Sequence, residues 1–263
     1  MKNFAVIGFP IEHSLSPILH QEIYNELGQK ITSSKISVNT KSLSRFVKSK
    51  RINFYNVTIP HKENIVSFLD SLESSAKEIG AVNCVANLKG YNTDWMGFKN
   101  SMLENNIILD NKNCIILGAG GAARAVAYAL IRSNCNSITI INRSKQRKKE
   151  ILKWIDGFGN YKNNSSQGDI IINCTPLGMW PNIKNKPIYS GTISSKQVIV
   201  DTIYNPYETS FLKYAKTSGA KTISGLDMFI HQGLASINIW EENDISQNIN
   251  INNIKKSLKA KLC

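Results

Sequence analysis

Hydrophobic positions along this chain fall into short β-type runs separated by stretches of helix formers. Before residue 100 the runs are Phe4 to Ile7, Ser34 to Val38, Phe54 to Val57 and Ala81 to Ala86, and helical stretches stand near Ile18 to Leu27, Leu43 to Ser49 and Asn64 to Leu69. Such alternation predicts parallel βα units, because a parallel neighbour needs a crossover long enough to hold a helix. A helix from about Trp95 to Asn105 runs into the polar link NNIILDNKN, where a domain boundary is expected near Asn105. A second set of βα units then starts at the apolar run CIIL, residues 114 to 117. Within it, Asp169 to Asn173 and Gln197 to Asp201 are buried strands that end in the polar turns CTPLGM and TIYNP. Ligands of open parallel sheets lie beyond the carboxyl ends of the strands, so both turns are site candidates. After Gly225 the chain is helical, with Leu226, Met228, Phe229, Leu234, Ile237 and Trp240 at helical spacing. The fold class is α/β in two domains.

Composition narrows the class without naming a function. With 263 residues, 42% of them hydrophobic, the chain is long enough to bury two modest cores. Gly8, Pro10 and Glu12 interrupt the apolar N-terminal patch well short of a membrane span, and a membrane partner is not expected. Five cysteines in no ligand spacing argue against a disulfide framework and against a metal site, and fit a reducing cytoplasm. The formal charge of +13 comes from scattered lysines without interleaved aromatics. It therefore reads as a solvated basic surface rather than a nucleic-acid platform, and it favours encounter with anionic small molecules.

The stretch CIILGAGGAAR, residues 114 to 124, carries the first chemistry. A strand ends at Gly118, and Gly118, Ala119, Gly120, Gly121 and Ala122 lead into a segment rich in helix formers. The first glycine permits a tight turn, the second lets backbone approach a pyrophosphate, and Ala123 keeps helix close to strand. Exposed amides and the positive helix end would hold the phosphates. Glycine loops also serve as plain turns, so the end of the next strand decides the matter. NAD enzymes of this architecture carry an acid there, whereas this chain has Asn142, Arg143 and Ser144, with Arg147 one turn on. A guanidinium and a hydroxyl suit a 2′-phosphate that a carboxylate would repel, so the expected cofactor is NADP(H). Arg147 as a mere solvated helix charge remains open.

Nine blocks in order then resemble the shikimate dehydrogenase family over almost the whole chain: HSLSP (13–17), NVTIPHK (56–62), IGAVN (79–83), YNTDWMGF (91–98), GAGGAAR (118–124), NRSKQR (142–147), NCTPLGM (173–179), IYNPYET (203–209) and GLDMFIHQG (225–233). The resemblance implies NADPH-dependent reduction of 3-dehydroshikimate to shikimate in aromatic amino-acid synthesis. It implies Lys62 and Asp94 as the catalytic pair, Lys62 exchanging the proton and Asp94 orienting it. Ser14, Ser16, Thr58 and Tyr204 would meet the substrate carboxylate, and Asn83 and Gln232 its hydroxyls. Thr175, Ile203, Gly225 and Met228 would lie near the nicotinamide. Because Gln232 belongs with the substrate residues, residues 226–263 are expected to return to a substrate domain of residues 1–104, leaving 105–225 as a Rossmann-type NADP-binding domain.

From the residues alone, blander roles stay open. Ser16 and Pro17 suit a helix N-cap and first turn, and Asn92, Thr93 or Asp94 suits another cap. Asn83 suits a turn and Gln232 a helix surface. His13, His61 and His231 adjoin the blocks without metal spacing, and His20 lies on a helix. Two other functions remain: a quinate/shikimate enzyme that also accepts NAD, against which Arg143 and Arg147 weigh, and a non-catalytic NADP-binding regulator, which loss of Lys62 or Asp94 would have favoured. The oligomeric state, monomer or homodimer, is undetermined.

Overall fold

A computed structural model describes residues 2–161, 165 and 167–262. The chain divides into two compact units, Met1–Gly97 with Ile230–Ala260, and Phe98–Phe229 with Lys261–Cys263. The divisions fall inside two helices, α4 (Asp94–Glu104) and α8 (Gly225–Glu241), and not in the polar link after residue 104 or at Gly225.

The first unit holds β1 (Lys2–Gly8), α1 (Ser16–Glu26), β2 (Ile31–Ser37), α2 (Leu43–Lys48), β3 (Phe54–Val57), β4 (Ser71–Leu72), α3 (Ser74–Ile79), β5 (Cys84–Ala86) and β6 (Lys89–Tyr91). These strands form one sheet in the order β2-β1-β3-β5-β6-β4. β1 runs parallel to β2 and β3 as the alternation predicts, with Ala5 opposite Tyr55 and Ile7 opposite Val57. β5 departs from that expectation, for it lies antiparallel to both β3 and β6. For the pair with β6 the reason is local: Asn87 and Leu88 take positive φ and turn the chain straight back from β5 into β6, so no crossover follows. The run expected over Ala81 to Ala86 thus shortens to three residues, and the helix expected at Asn64 to Leu69 is a 3-10 turn over Asn64–Phe68. Ala5, Ile7, Tyr55, Val57, Val82 and Val85 pack with Leu43 and Val47 of α2 into the core on one side of this sheet. The C-terminal helix α9 (Ile251–Lys259) docks on α1 through Ser257 to Glu22 and Asn253 to Glu26.

The second unit is a parallel sheet in the order β11-β10-β9-β7-β8, built from β7 (Asn113–Leu117), β8 (Ser137–Ile141), β9 (Ile170–Asn173), β10 (Val198–Asp201) and β11 (Lys221–Ile223). Helices α5 (Gly121–Ile131), α6 (Lys145–Asp156) and α7 (Ser210–Thr217) supply crossovers. The strand order reverses direction at β7, so the glycine turn after β7 and the turn after β9 both leave from the carboxyl ends at the switch point. β7, β9 and β10 are nearly all apolar because both faces are covered, the expected signature of a parallel sheet.

Candidate active site

In the first unit the candidate residues sit where strands end. β3 closes with the turn Thr58 to Lys62, in which the His61 amide donates to the Thr58 carbonyl at 3.0 Å. The Lys62 carbonyl accepts from Val82 at 2.8 Å, fixing the backbone below the lysine. Asn83 is clamped on both sides, its carbonyl accepting from Val57 at 2.8 Å and its amide donating to Tyr91 at 3.1 Å. Asp94 opens α4. The Asn92 side chain accepts from the amides of Asp94 (3.1 Å) and Trp95 (3.4 Å), so Asn92 is the cap and the Asp94 carboxylate is left for other partners.

Those partners are Lys62 and Asn83. Lys62 Nζ donates to Asp94 Oδ2 at 2.5 Å, and Asn83 Nδ2 donates to Asp94 Oδ1 at 3.0 Å and to Gln232 Oε1 at 3.1 Å. The Lys62 side chain is 19% exposed while Asp94 is 6% exposed. The lysine is thus the more exposed partner of the pair. A charge-assisted bond to a fixed carboxylate orients the lysine.

Ser14 and Ser16 form a second group, their hydroxyls 3.3 Å apart, and the Ser16 amide also donates to Ser14 Oγ at 3.3 Å. Ser16 is the first residue of α1 rather than its N-cap; Leu15 occupies that position without a side-chain cap, and Pro17 sits in the first turn. Thr58, half-buried, is held by its amide on the Ile7 carbonyl at 2.9 Å. Among the described residues, no hydrogen bond joins Ser14, Ser16 or Thr58 to Lys62 or Asp94.

The second unit carries the glycine turn. Gly118 has φ +118° and its amide donates to the Ile141 carbonyl at 2.8 Å. A Cβ there would stand 3.0 Å from the Cys174 carbonyl oxygen, so only glycine lets the turns after β7 and β9 approach. Ala119 leads to Gly120, the N-cap of α5, which provides no side-chain cap; a Cβ on Gly120 would meet nothing within 4 Å. Gly121 and Ala122 begin the helix, whose first-turn amides have no intrahelical acceptor. At the end of β8, Asn142 donates to the Ser144 carbonyl at 3.0 Å, and Ser144 caps α6 by accepting from the Arg147 amide at 3.3 Å. Arg143 and Arg147 are exposed, and neither forms an ion pair among the described residues. An uncapped helix start with free space above it and two unspent guanidinia are the donor set that a dinucleotide phosphate needs.

Thr175, Ile203, Gly225 and Met228 lie on the turns after β9 and β10 and at the start of α8. A buried carboxylate ties the first two turns together. Asp201 accepts from Asn173 Nδ2 at 3.0 Å, the Ile203 amide at 3.0 Å and Thr209 Oγ1 at 2.7 Å, while Asn173 Oδ1 accepts from Thr175. Burial pushes the Asp201 carboxyl up to about 6, against the pull of those three donors. Gly225 is required by contact, for a Cβ there would fall 2.4 Å from the Thr202 carbonyl oxygen. Ile203 and Met228 are buried, and the Tyr204 ring stacks on Phe229 at 4.1 Å between centroids. Tyr204 thus belongs to the second unit, whereas the other substrate candidates lie in the first.

Asn56, Thr93 and Ser236, which bond one another and Asn83, and Asn173 and Asp201 are not marked by the sequence as site residues. Asn56 and Asp201 each carry one signal, a polar residue inside an apolar strand run for Asn56 and a carboxylate closing one for Asp201. Thr93 suggests only a possible cap, and Ser236 follows Gln232 by one helical turn.

Comparison with known proteins adds an independent line. The family described as "Shikimate dehydrogenase substrate binding domain" matches residues 6–85, and "Shikimate / quinate 5-dehydrogenase" matches residues 102–203. A "Shikimate dehydrogenase (NADP(+))" of Moorella thermoacetica is 38% identical over 255 residues, covering 90% of this chain and 86% of that protein. A crystal structure of a shikimate dehydrogenase in complex with NADP+ superposes with a TM-score of 0.90 at 36% identity, over 100% of this chain and 96% of the other. The Thermus thermophilus enzyme, crystallised with NADP(H) and shikimate, gives a TM-score of 0.88 at 29% identity, with all of both chains covered.

Proposed function

The chain belongs to the shikimate dehydrogenase family, and from that premise we propose that it reduces 3-dehydroshikimate to shikimate with NADPH, reversibly. The observation that carries the reading is the carboxylate of Asp94 held between Lys62 and Asn83, with the lysine the more exposed of the ion pair. Carbonyl reduction needs a hydride, a proton for the developing alkoxide and a frame that holds the carbonyl still. Gly118 to Ala122, Asn142, Arg143, Ser144 and Arg147 would hold NADPH, with Thr175, Ile203, Gly225 and Met228 toward its nicotinamide, and bound there it would supply the hydride.

The chain's own residues do the rest. Lys62 holds the proton that the new alcohol oxygen takes, and its charge stabilises that oxygen as it becomes negative. Asp94 keeps the ammonium aimed and accepts from the neighbouring substrate hydroxyl. Asn83 and Gln232 can each donate and accept, as a polyhydroxylated ring requires. Ser14, Ser16, Thr58 and Tyr204 supply hydroxyls for the substrate carboxylate. A reducing cytoplasm as the place of action rests on the sequence, whose five cysteines follow no disulfide-framework or ligand spacing.

The test is reduction of 3-dehydroshikimate, followed by loss of NADPH absorbance with the product identified as shikimate by mass and NMR. Lys62→Ala should lower kcat by about two to four orders of magnitude with a smaller change in substrate KM, the range for a positioned general acid. A Lys62→Ala protein with near-normal kcat contradicts the role.

A further inference from the structure

Behind the Lys62–Asp94 pair, in the first unit, runs a chain of buried polar side chains that the mechanism above does not use. His20 Nδ1 is 2.8 Å from Ser33 Oγ and its Nε2 is 2.8 Å from Asn56 Oδ1. Asn56 Nδ2 donates to the Asn83 carbonyl at 3.0 Å and to Ser236 Oγ at 2.9 Å. Ser236 Oγ donates to the Gln232 carbonyl at 2.9 Å and lies 3.1 Å from Thr93 Oγ1. Thr93 Oγ1 accepts from Asn83 Nδ2 at 2.9 Å, and the Thr93 amide donates to Asn83 Oδ1 at 2.6 Å. His20, Thr93 and Ser236 have no exposed surface, and Asn56 and Asn83 have almost none.

Two backbone carbonyls, which can only accept, fix the direction of every bond in the chain. The Asn83 carbonyl requires Asn56 to present its NH2 there, so Asn56 Oδ1 faces His20, and His20 Nε2 must carry the proton. Its bare Nδ1 then accepts from Ser33. The Gln232 carbonyl takes the Ser236 proton, so Ser236 Oγ accepts from Thr93, and the Thr93 oxygen is left to accept from Asn83. One Asn83 N–H is spent on Thr93, and the other points at Asp94 Oδ1 and Gln232 Oε1. A packing role alone would not demand one tautomer and one amide orientation along five residues. The His20 ring is closed in by Trp240 edge-on at 5.2 Å and Phe4 at 6.3 Å, and burial there lowers its pKa to about 4, which keeps the imidazole neutral with a single donor.

We propose that His20, Asn56 and Ser236 are positioning residues for the reaction at Lys62: they hold the Asn83 backbone carbonyl and the direction of the Thr93 hydroxyl that receives one Asn83 N–H, and through them the donor that Asn83 presents to the carboxylate of Asp94. None of the three need touch substrate. The inference rests on the function proposed above, so its test has one arm that depends on turnover and one that does not.

In the first arm, His20→Leu, His20→Gln and Ser236→Ala are assayed with shikimate and NADP+. His20→Leu and Ser236→Ala should lower kcat by about ten- to a hundredfold and raise shikimate KM, with NADP+ KM within about twofold, because an Asn56 amide and a Thr93 hydroxyl that have lost a partner no longer hold Asn83 in place against Asp94. His20→Gln, whose amide can still offer an N–H to Asn56, should recover most of the kcat. Loss of kcat in proportion to the folded fraction, with both KM values unchanged, overturns the proposal, and so does a folded His20→Gln no better than His20→Leu. If His20→Leu does not fold, Ser236→Ala carries the same expected and contrary outcomes. In the second arm, nitrogen NMR of the His20 ring at neutral pH should show Nε2 protonated and Nδ1 bare. The opposite tautomer overturns the frame whether or not the wild type turns over shikimate, whereas an inactive wild type with the expected tautomer overturns the function instead.

Discussion

Asn83 shows what a single side chain can do when its surroundings leave it no choice. Its oxygen is taken by the Thr93 amide, so its nitrogen must face Thr93, Asp94 and Gln232. The sequence makes Asn83 a candidate, because IGAVN is one of the family blocks. It cannot show the partners, since they come from α4 and its approach and from α8, ten and 149 positions away along the chain. His20 is harder still: on a helix, a histidine looks the same whether it faces solvent or an aromatic box. Its burial has a pH consequence. With a folded pKa near 4 against an ordinary 6.5, the unfolded chain binds the proton more readily, so His20 contributes stability above pH 6.5 that is lost as pH falls toward 4. The contribution is about 3 kcal/mol by linkage. Asp201, raised from 3.8 to about 6, acts in the opposite sense and loses stability as pH rises across nearly the same window, so the wild type alone hides both. Denaturant unfolding of wild type and His20→Leu from pH 4 to 7 separates them: the wild-type advantage over the variant should grow with pH up to about 6.5. A difference that stays flat with pH contradicts the buried neutral imidazole.

At the scale of elements, periodicity locates most strands and helices to within a few residues, and fails where a turn decides direction. The parallel sheet of the second unit is legible because β7, β9 and β10 are continuous apolar runs. The reversal at Asn87 and Leu88 is not, since neither residue is a glycine and the run from Ala81 gives no sign of stopping for a hairpin. Short elements such as β4, β6 and β11 lack enough residues to show any period. The end of β8 is readable for a chemical reason, the absence of an acid. Arg143 stands exposed beside the α6 cap, so its guanidinium is not committed to the fold. A charge-assisted contact to phosphate is worth about 1.5 to 3 kcal/mol, so Arg143→Ala should weaken NADPH binding by about ten- to a hundredfold and leave NADH nearly unchanged. Fluorescence titration with both cofactors checks this, and equal losses for the two would remove Arg143 from the 2′-phosphate.

Over the whole molecule, the proposed roles divide by unit. Lys62, Asp94, Asn83, Gln232, the two serines and Thr58 belong to the first unit, and the glycine turn, the arginines and Tyr204 to the second. The first unit takes in the chain from Ile230 to Ala260, which a linear reading of the sheet pattern would assign to whatever precedes it. Only the grouping of Gln232 with the earlier blocks points the other way. Selection of shikimate is thus proposed to rest on the first unit with Tyr204 of the second, and selection of NADP on the second. Initial rates for shikimate and quinate, each with NADP+ and with NAD+, test this selectivity most directly. Turnover concentrated in the shikimate and NADP+ pairing is the predicted result. Comparable rates on quinate or with NAD+ would contradict the selectivity, and no turnover in any of the four pairings would contradict the enzyme itself.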